Sequence, residues 1–140
     1  MASQEFSPKI GEFGEAQWVV DSEHLAHALG NEGVRVLATP MLLDLMEIAA
    51  NNALISALPP DWITLGVHAD LRHLKVTPEG LHVTARAVIT AVDRQKVQFR
   101  IDVHDDVELV GQGTHERFCM PRSEFLRMVE KKRSVAKNLG

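Results

Sequence analysis

The chain has one cysteine, Cys119, in 140 residues. A lone thiol can make neither an internal disulfide nor a cysteine-built zinc site, and it suits a reducing cytoplasm, the location expected here. A long apolar run is also missing. The start, Met1-Ala2-Ser3-Gln4-Glu5, has no basic flank and no hydrophobic stretch after it, so neither a signal peptide nor a membrane span is expected. Positive charge is in short supply, with 15 Lys and Arg against 19 Asp and Glu for a net charge of −4, which removes the electrostatic reason to expect a nucleic-acid partner. No Gly-x-Ser-x-Gly elbow, phosphate-cradling glycine loop or His-Glu-x-x-His pair occurs, so three common routes to hydrolysis, phosphate binding and zinc chemistry are closed. The seven histidines are scattered singly, and no metal site is expected. No repeat or linker-like stretch divides the chain, so residues 1–140 are expected to form one domain.

What is present reads as an ordinary globular protein, 45% hydrophobic and 24% charged. Glu15 to Val20 has the pattern of a short strand, and residues 22–34, with glycines at 30 and 33, that of a loop or short helix. Thr39-Pro40 announces a helix from Met41 to about Leu58: threonine suits the N-cap and proline the first helical position. The pair Pro59-Pro60 closes it by removing donors and pushing the preceding residue out of helical geometry. From Gly66 the period switches to two. Val67, Ala69, Leu71 and His73 share one face of the first strand, with His68, Asp70 and Arg72 on the other.

Turns at Thr77-Pro78-Glu79-Gly80, Asp93-Arg94-Gln95 and Asp105-Asp106 separate strands from Leu81 to Val92, Lys96 to His104 and Val107 to Met120. Successive strands of this kind predict an antiparallel meander. An amphipathic helix then begins at about Ser123 and runs to about 135. The order predicts an α+β fold in which a five-stranded antiparallel sheet wraps one long central helix, with its core over about residues 15–120. The helix is apolar around most of its circumference, more than the strands of one subunit are expected to cover. A C2 homodimer is the simplest remedy.

Several residues could carry chemistry. Thr39 offers a hydroxyl where the free N–H groups of a helix start gather, a place able to hold a carbonyl oxygen or an oxyanion; its bland alternative is an ordinary cap. Glu47 shares a narrow polar stripe with Asp44 and Asn51, flanked by Leu43, Met46, Ile48 and Ala50. A carboxylate kept partly dry there is a plausible base or nucleophile, whereas on a solvated face it would be inert. His73 follows three apolar residues on one strand face and would supply proton transfer near neutral pH, unless it is a satisfied core histidine. Gly66 permits close approach of a backbone or ligand. Arg117, with His115, turns the end of an apolar strand face cationic, able to pair with Glu47 or to receive an anionic substrate. The basic run from Arg127 to Lys137 is a solvated face or a screen for phosphates.

Together, Ala38-Thr39-Pro40, Leu45-Met46-Glu47, Leu65-Gly66, Arg72-His73, Ala91-Val92-Asp93 and Gly111-Gln112-Gly113-Thr114-His115-Glu116-Arg117 resemble the hotdog-fold thioesterases of the fluoroacetyl-CoA thioesterase type. The resemblance spans roughly Val19 to Met120. It implies a hotdog fold and hydrolysis of an acyl-CoA with a small or medium acyl group, with no cofactor beyond the CoA of the substrate. It also implies a catalytic constellation of Thr39, Glu47 and His73, with Gly66 and Arg117 positioning substrate, and a homodimer with active sites at the subunit interface. Two departures bear on the substrate. The fluoroacetate-selective enzyme carries phenylalanines shortly before its threonine, where this chain reads Gly30-Asn31-Glu32-Gly33, and a glycine where this chain has Pro40. An acyl group other than fluoroacetyl is therefore expected. The alternative is a hotdog protein that binds an acyl-CoA or another small ligand without turnover.

Overall fold

A computed structural model describes residues 5–140; residues 1–4, part of the start read above for a targeting signal, lie outside the described residues. The elements run β1 (Phe13–Val19), α1 (Thr39–Leu54), β2 (Trp62–His73), β3 (His82–Asp93), β4 (Lys96–Asp105), β5 (Leu109–Pro121) and α2 (Arg122–Leu139), with short 3-10 turns at Ser22–His24, Ala26–Leu29 and Ile55–Ala57. All five strands are antiparallel in one sheet of order β1-β3-β4-β5-β2. The period-two pattern fixes which face is dry. Val83, Ala85, Ala87 and Ile89 on β3, and Val97, Phe99, Ile101 and Val103 on β4, are buried, and they pack on Leu42, Leu45, Met46, Ala49, Ala53 and Leu54 of α1. Burial of each large side chain of this set contributes roughly 1.5–3 kcal/mol.

The seat of the helix depends on small residues. A side chain at Gly14 of β1 would collide with the backbone of Ala49 and Ala53, so strand and helix meet backbone to backbone. Among the described residues no helix is long and apolar enough to cross a membrane, and no group of three or more His, Cys, Asp or Glu side chains is placed to hold a metal ion.

Three expectations need correction. Ala38, not Thr39, is the N-cap of α1: it is extended (φ −75, ψ 146), its carbonyl accepts from Met41 and Leu42, and Thr39 and Pro40 are already helical. Because Pro40 has no N–H and those of Met41 and Leu42 are taken, the helix start offers fewer free donors than foreseen. Second, the meander is β3-β4-β5, whereas β2 pairs with β5 at the far edge. The segment after β2 is pinned elsewhere: Leu37 donates to the Thr77 carbonyl, the Thr77 hydroxyl donates to Asp105, and Gly80 donates to the Val20 carbonyl. It crosses to the other side of the sheet, where β3 lies between β1 and β4, instead of closing a hairpin. Third, the chain's own sheet does cover the apolar side of α1. Beyond its first turn the helix leaves exposed a narrow strip of Asp44, Ile48, Asn51 and Asn52, continued by Ile55 of the following 3-10 turn, with Glu47 at its margin, so excess apolar surface is not in itself a reason for a second copy.

Candidate active site

The first cluster forms where the start of α1 meets the end of β2. His73 is registered against Gly111 of β5, and a side chain at Gly111 would press on Leu42 of the helix. That missing side chain lets the first turn of α1 approach the strand, and Thr39 Oγ1 comes within 2.8 Å of His73 Nδ1. Burial pushes His73 below its ordinary pKa of 6.5, opposed by the Lys75 backbone. Its other nitrogen, Nε2, is buried without a hydrogen-bond partner among the described residues. A neutral imidazole whose Nδ1 faces a hydroxyl is equipped to take that hydroxyl's proton. The pair opens on a cavity of about 340 Å³ with largely aliphatic walls, formed by Val34, Val36, Leu37, Leu74 and Val76 with Asn31 and Lys75 at its polar margin.

The second cluster lies further along the helix and centres on Arg117, only 7% exposed. Its Nη1 donates to Glu47 Oε2 at 3.2 Å and lies 3.1 Å from His115 Nε2; Nε donates to Thr64 Oγ1 at 2.8 Å and Nη2 to the Thr64 carbonyl at 3.3 Å. The Thr64 hydroxyl in turn donates to Asn51 Oδ1 at 2.7 Å. Gly66 is part of this cluster: a side chain there would stand 3.0 Å from Glu47 Oε2, 3.2 Å from His115 Cε1 and 3.3 Å from Arg117 Nη1. Strict alternation from His73 would turn Gly66 to the opposite face. A bulge between Gly66 and His68 restores it, leaving Val67 exposed.

Within one chain the two clusters do not meet. Thr39 and Glu47 are eight residues apart on one helix, about 12 Å along its axis, and Glu47 does not line the cavity beside Thr39. Thus Thr39 joins His73, and Glu47 joins Gly66 and Arg117. Sequence reading missed Thr64 altogether. Asn51 carried a usable signal, sitting one turn beyond Glu47 in the same polar stripe.

Comparison with known proteins adds to this geometry. A family model described as fluoroacetyl-CoA-specific thioesterase matches residues 20–123. The fluoroacetyl-CoA thioesterase of Streptantibioticus cattleyicolor is 35% identical over 97 residues, covering 69% of this chain and 70% of that protein. A solved structure of a point variant of a fluoroacetyl-CoA thioesterase in complex with acetyl-CoA superimposes with a TM-score of 0.83 at 30% identity, covering 89% of this chain and 98% of the other. A hot-dog-like protein from Thermanaerovibrio acidaminovorans, 19% identical, has a TM-score of 0.81 over 88% of this chain and 91% of its own. At that identity it speaks for the fold alone, which is the hotdog fold.

Proposed function

The chain belongs to the fluoroacetyl-CoA-specific thioesterase family, and from that premise we propose that it hydrolyses an acyl-CoA thioester to the free acid and CoA, as a homodimer and with no cofactor beyond the CoA of its substrate. One observation carries this reading: a hydroxyl 2.8 Å from a neutral imidazole at the mouth of an aliphatic cavity. Thr39, or a water held by it, adds to the thioester carbonyl carbon while His73 Nδ1 takes the proton. The C–S bond then breaks and the proton passes to the departing sulfur. Where Thr39 itself is acylated, water repeats the attack and frees the acid. Backbone N–H groups near Gly66 are the candidates for holding the developing oxyanion, since at the start of α1 Pro40 has no N–H and those of Met41 and Leu42 already bond the Ala38 carbonyl.

The unpartnered Nε2 of His73 supports a site shared between two copies. With Nδ1 facing the hydroxyl, Nε2 carries the proton, and a carboxylate there would orient the ring and stabilise its charged form. β2 is an edge strand with one side unpaired. Antiparallel pairing of two β2 strands about a two-fold axis at Asp70 sets His73 opposite the partner's Gly66, because the extra residue of the bulge at Val67 leaves the two three pleat positions from that point. The partner's Glu47 would then be the carboxylate.

The acyl group is read from the cavity: its volume and aliphatic walls favour a small or medium uncharged chain over a charged one. Fluoroacetyl belongs among the candidates, since a 35% identical relative is named for it; the aromatic-free segment before Thr39 does not exclude it. A second reading, binding without turnover, is favoured by the Arg117–Glu47 ion pair, which ties down the carboxylate. It has no need for the Thr39–His73 pair at a cavity mouth. The test is free-thiol release from fluoroacetyl-, acetyl-, branched, aromatic and long acyl-CoAs. Turnover of at least one is expected, falling at least about tenfold in Glu47→Gln and in His73→Ala. Full activity in both variants would remove the proposed site, and binding without thiol release would establish the second reading.

A further inference from the structure

His115 is buried at 3% exposure in the middle of the Arg117 cluster, and the hydrolysis above gives it no task. Its surroundings fix more than its position. Nδ1 lies 2.8 Å from the His68 carbonyl oxygen, a group that can only accept, so Nδ1 carries the ring proton. Nε2 is then a lone pair, 3.1 Å from Arg117 Nη1, and it accepts one of that nitrogen's two N–H bonds. The other is directed at Glu47 Oε2, 3.2 Å away. Thr64 holds Nε and Nη2. Only the Nη1 end depends on a titratable acceptor.

We propose that His115 is a positioning residue that acts through Arg117: as the neutral Nδ1–H tautomer, held by the His68 carbonyl, it keeps the guanidinium turned so that Nη1 engages Glu47. Protonation of Nε2, or a switch of tautomer, would set an N–H against an N–H, remove the acceptor and turn Nη1 away from the carboxylate. The groups that face His115 are Arg117 on its own strand, Glu47 from α1, His68 from β2 and the Phe99 ring of β4 at 6.1 Å. Burial first, and then the Arg117 charge, hold the ring below its ordinary pKa of 6.5 against the His68 carbonyl and the Glu47 charge, which pull the other way. The neutral form is thus the resting one near neutral pH. Because the ring edge also borders the space left open by Gly66, beside Glu47 Oε2 and Arg117 Nη1, a change at His115 is felt at that carboxylate.

The kinetic consequence rests on the thioesterase reading; the tautomer does not. Long-range proton–nitrogen spectra of the intact protein at neutral pH should show His115 protonated at Nδ1 and bare at Nε2. A proton on Nε2 would overturn the proposal. In thiol-release kinetics, His115→Phe keeps the bulk but accepts nothing, and kcat should fall about tenfold with KM nearly unchanged. His115→Gln, whose side-chain oxygen can accept from Nη1, should stay within about threefold of the parent. Parental kcat in both variants, or equal losses in both, would overturn the positioning role. Should His115→Phe fail to fold, the spectra and the glutamine variant decide. Should the parent release no thiol from any acyl-CoA, the hydrolysis reading falls and the spectra still test the His115–Arg117 contact.

Discussion

Gly66 shows how much a single missing side chain can hold open. The atoms a methyl group would meet there are the ends of Glu47, His115 and Arg117 side chains, at 3.0 to 3.3 Å. Each can give by a few tenths of an ångström, so Gly66→Ala should cost little stability, yet the give comes out of the Arg117–Glu47 pairing. Thiol release is expected to fall at least about tenfold while the thermal midpoint moves by only a few degrees; an equally active variant would show that this contact does not matter to turnover. A second consequence belongs to His73 and His115. Both are held below 6.5, burial being the largest cause in each. The unfolded chain therefore takes up protons at a pH where the folded one still refuses them, so stability is complete above 6.5 and declines as pH falls through the lower folded values. Thermal melts between neutral pH and about pH 5 should show this decline, shallower in His115→Gln. A parent curve flat over that window would contradict it.

At the scale of elements, the tightest constraint is the contact of α1 with β1. Gly14 faces the backbone of Ala49 and Ala53, and unlike the neighbours of Gly66 a helix backbone cannot yield cheaply. Gly14→Ala should therefore destabilise by about 1–3 kcal/mol or more, measured by denaturant midpoint, through displacement of the helix. Little change would mean that helix and strand are not so closely packed. This also marks what was legible in the chain. The strands and the central helix followed from periods of two and 3.6, because burial is written residue by residue in Val83 to Ile89 and in Val97 to Val103. The bulge beside Val67 was not legible, since it is set by pairing with β5 some fifty residues away. Nor was the strand order: Thr77-Pro78-Glu79-Gly80 has the composition of a hairpin turn, and only its bonds to Leu37, Val20 and Asp105 reveal a crossover. The Thr39–His73 contact was foreshadowed by strand parity; the cap was misplaced because the hydroxyl is engaged by the imidazole and not by the helix.

At the scale of the whole molecule, the two clusters pose a question of assembly. Thr39 and His73 lie at one end of α1 and β2, Glu47 and Arg117 about two turns away. If one site draws its hydroxyl and imidazole from one copy and its carboxylate from the other, Thr39→Ala and Glu47→Gln are each inactive as pure dimers but complementary when mixed. A heterodimer of the two variants contains one site with both lesions and one with neither. Random reassortment of equal amounts makes half the dimers mixed, each with one intact site of two, so about a quarter of parental thiol release should return. If instead each chain builds its site alone, every site in the mixture carries a lesion and no activity returns. Co-expressing the two variants with different affinity tags isolates the mixed species, in which about half of parental turnover is expected, and replacing Ala69 with proline at the unpaired edge of β2 should abolish both the complementation and the dimer.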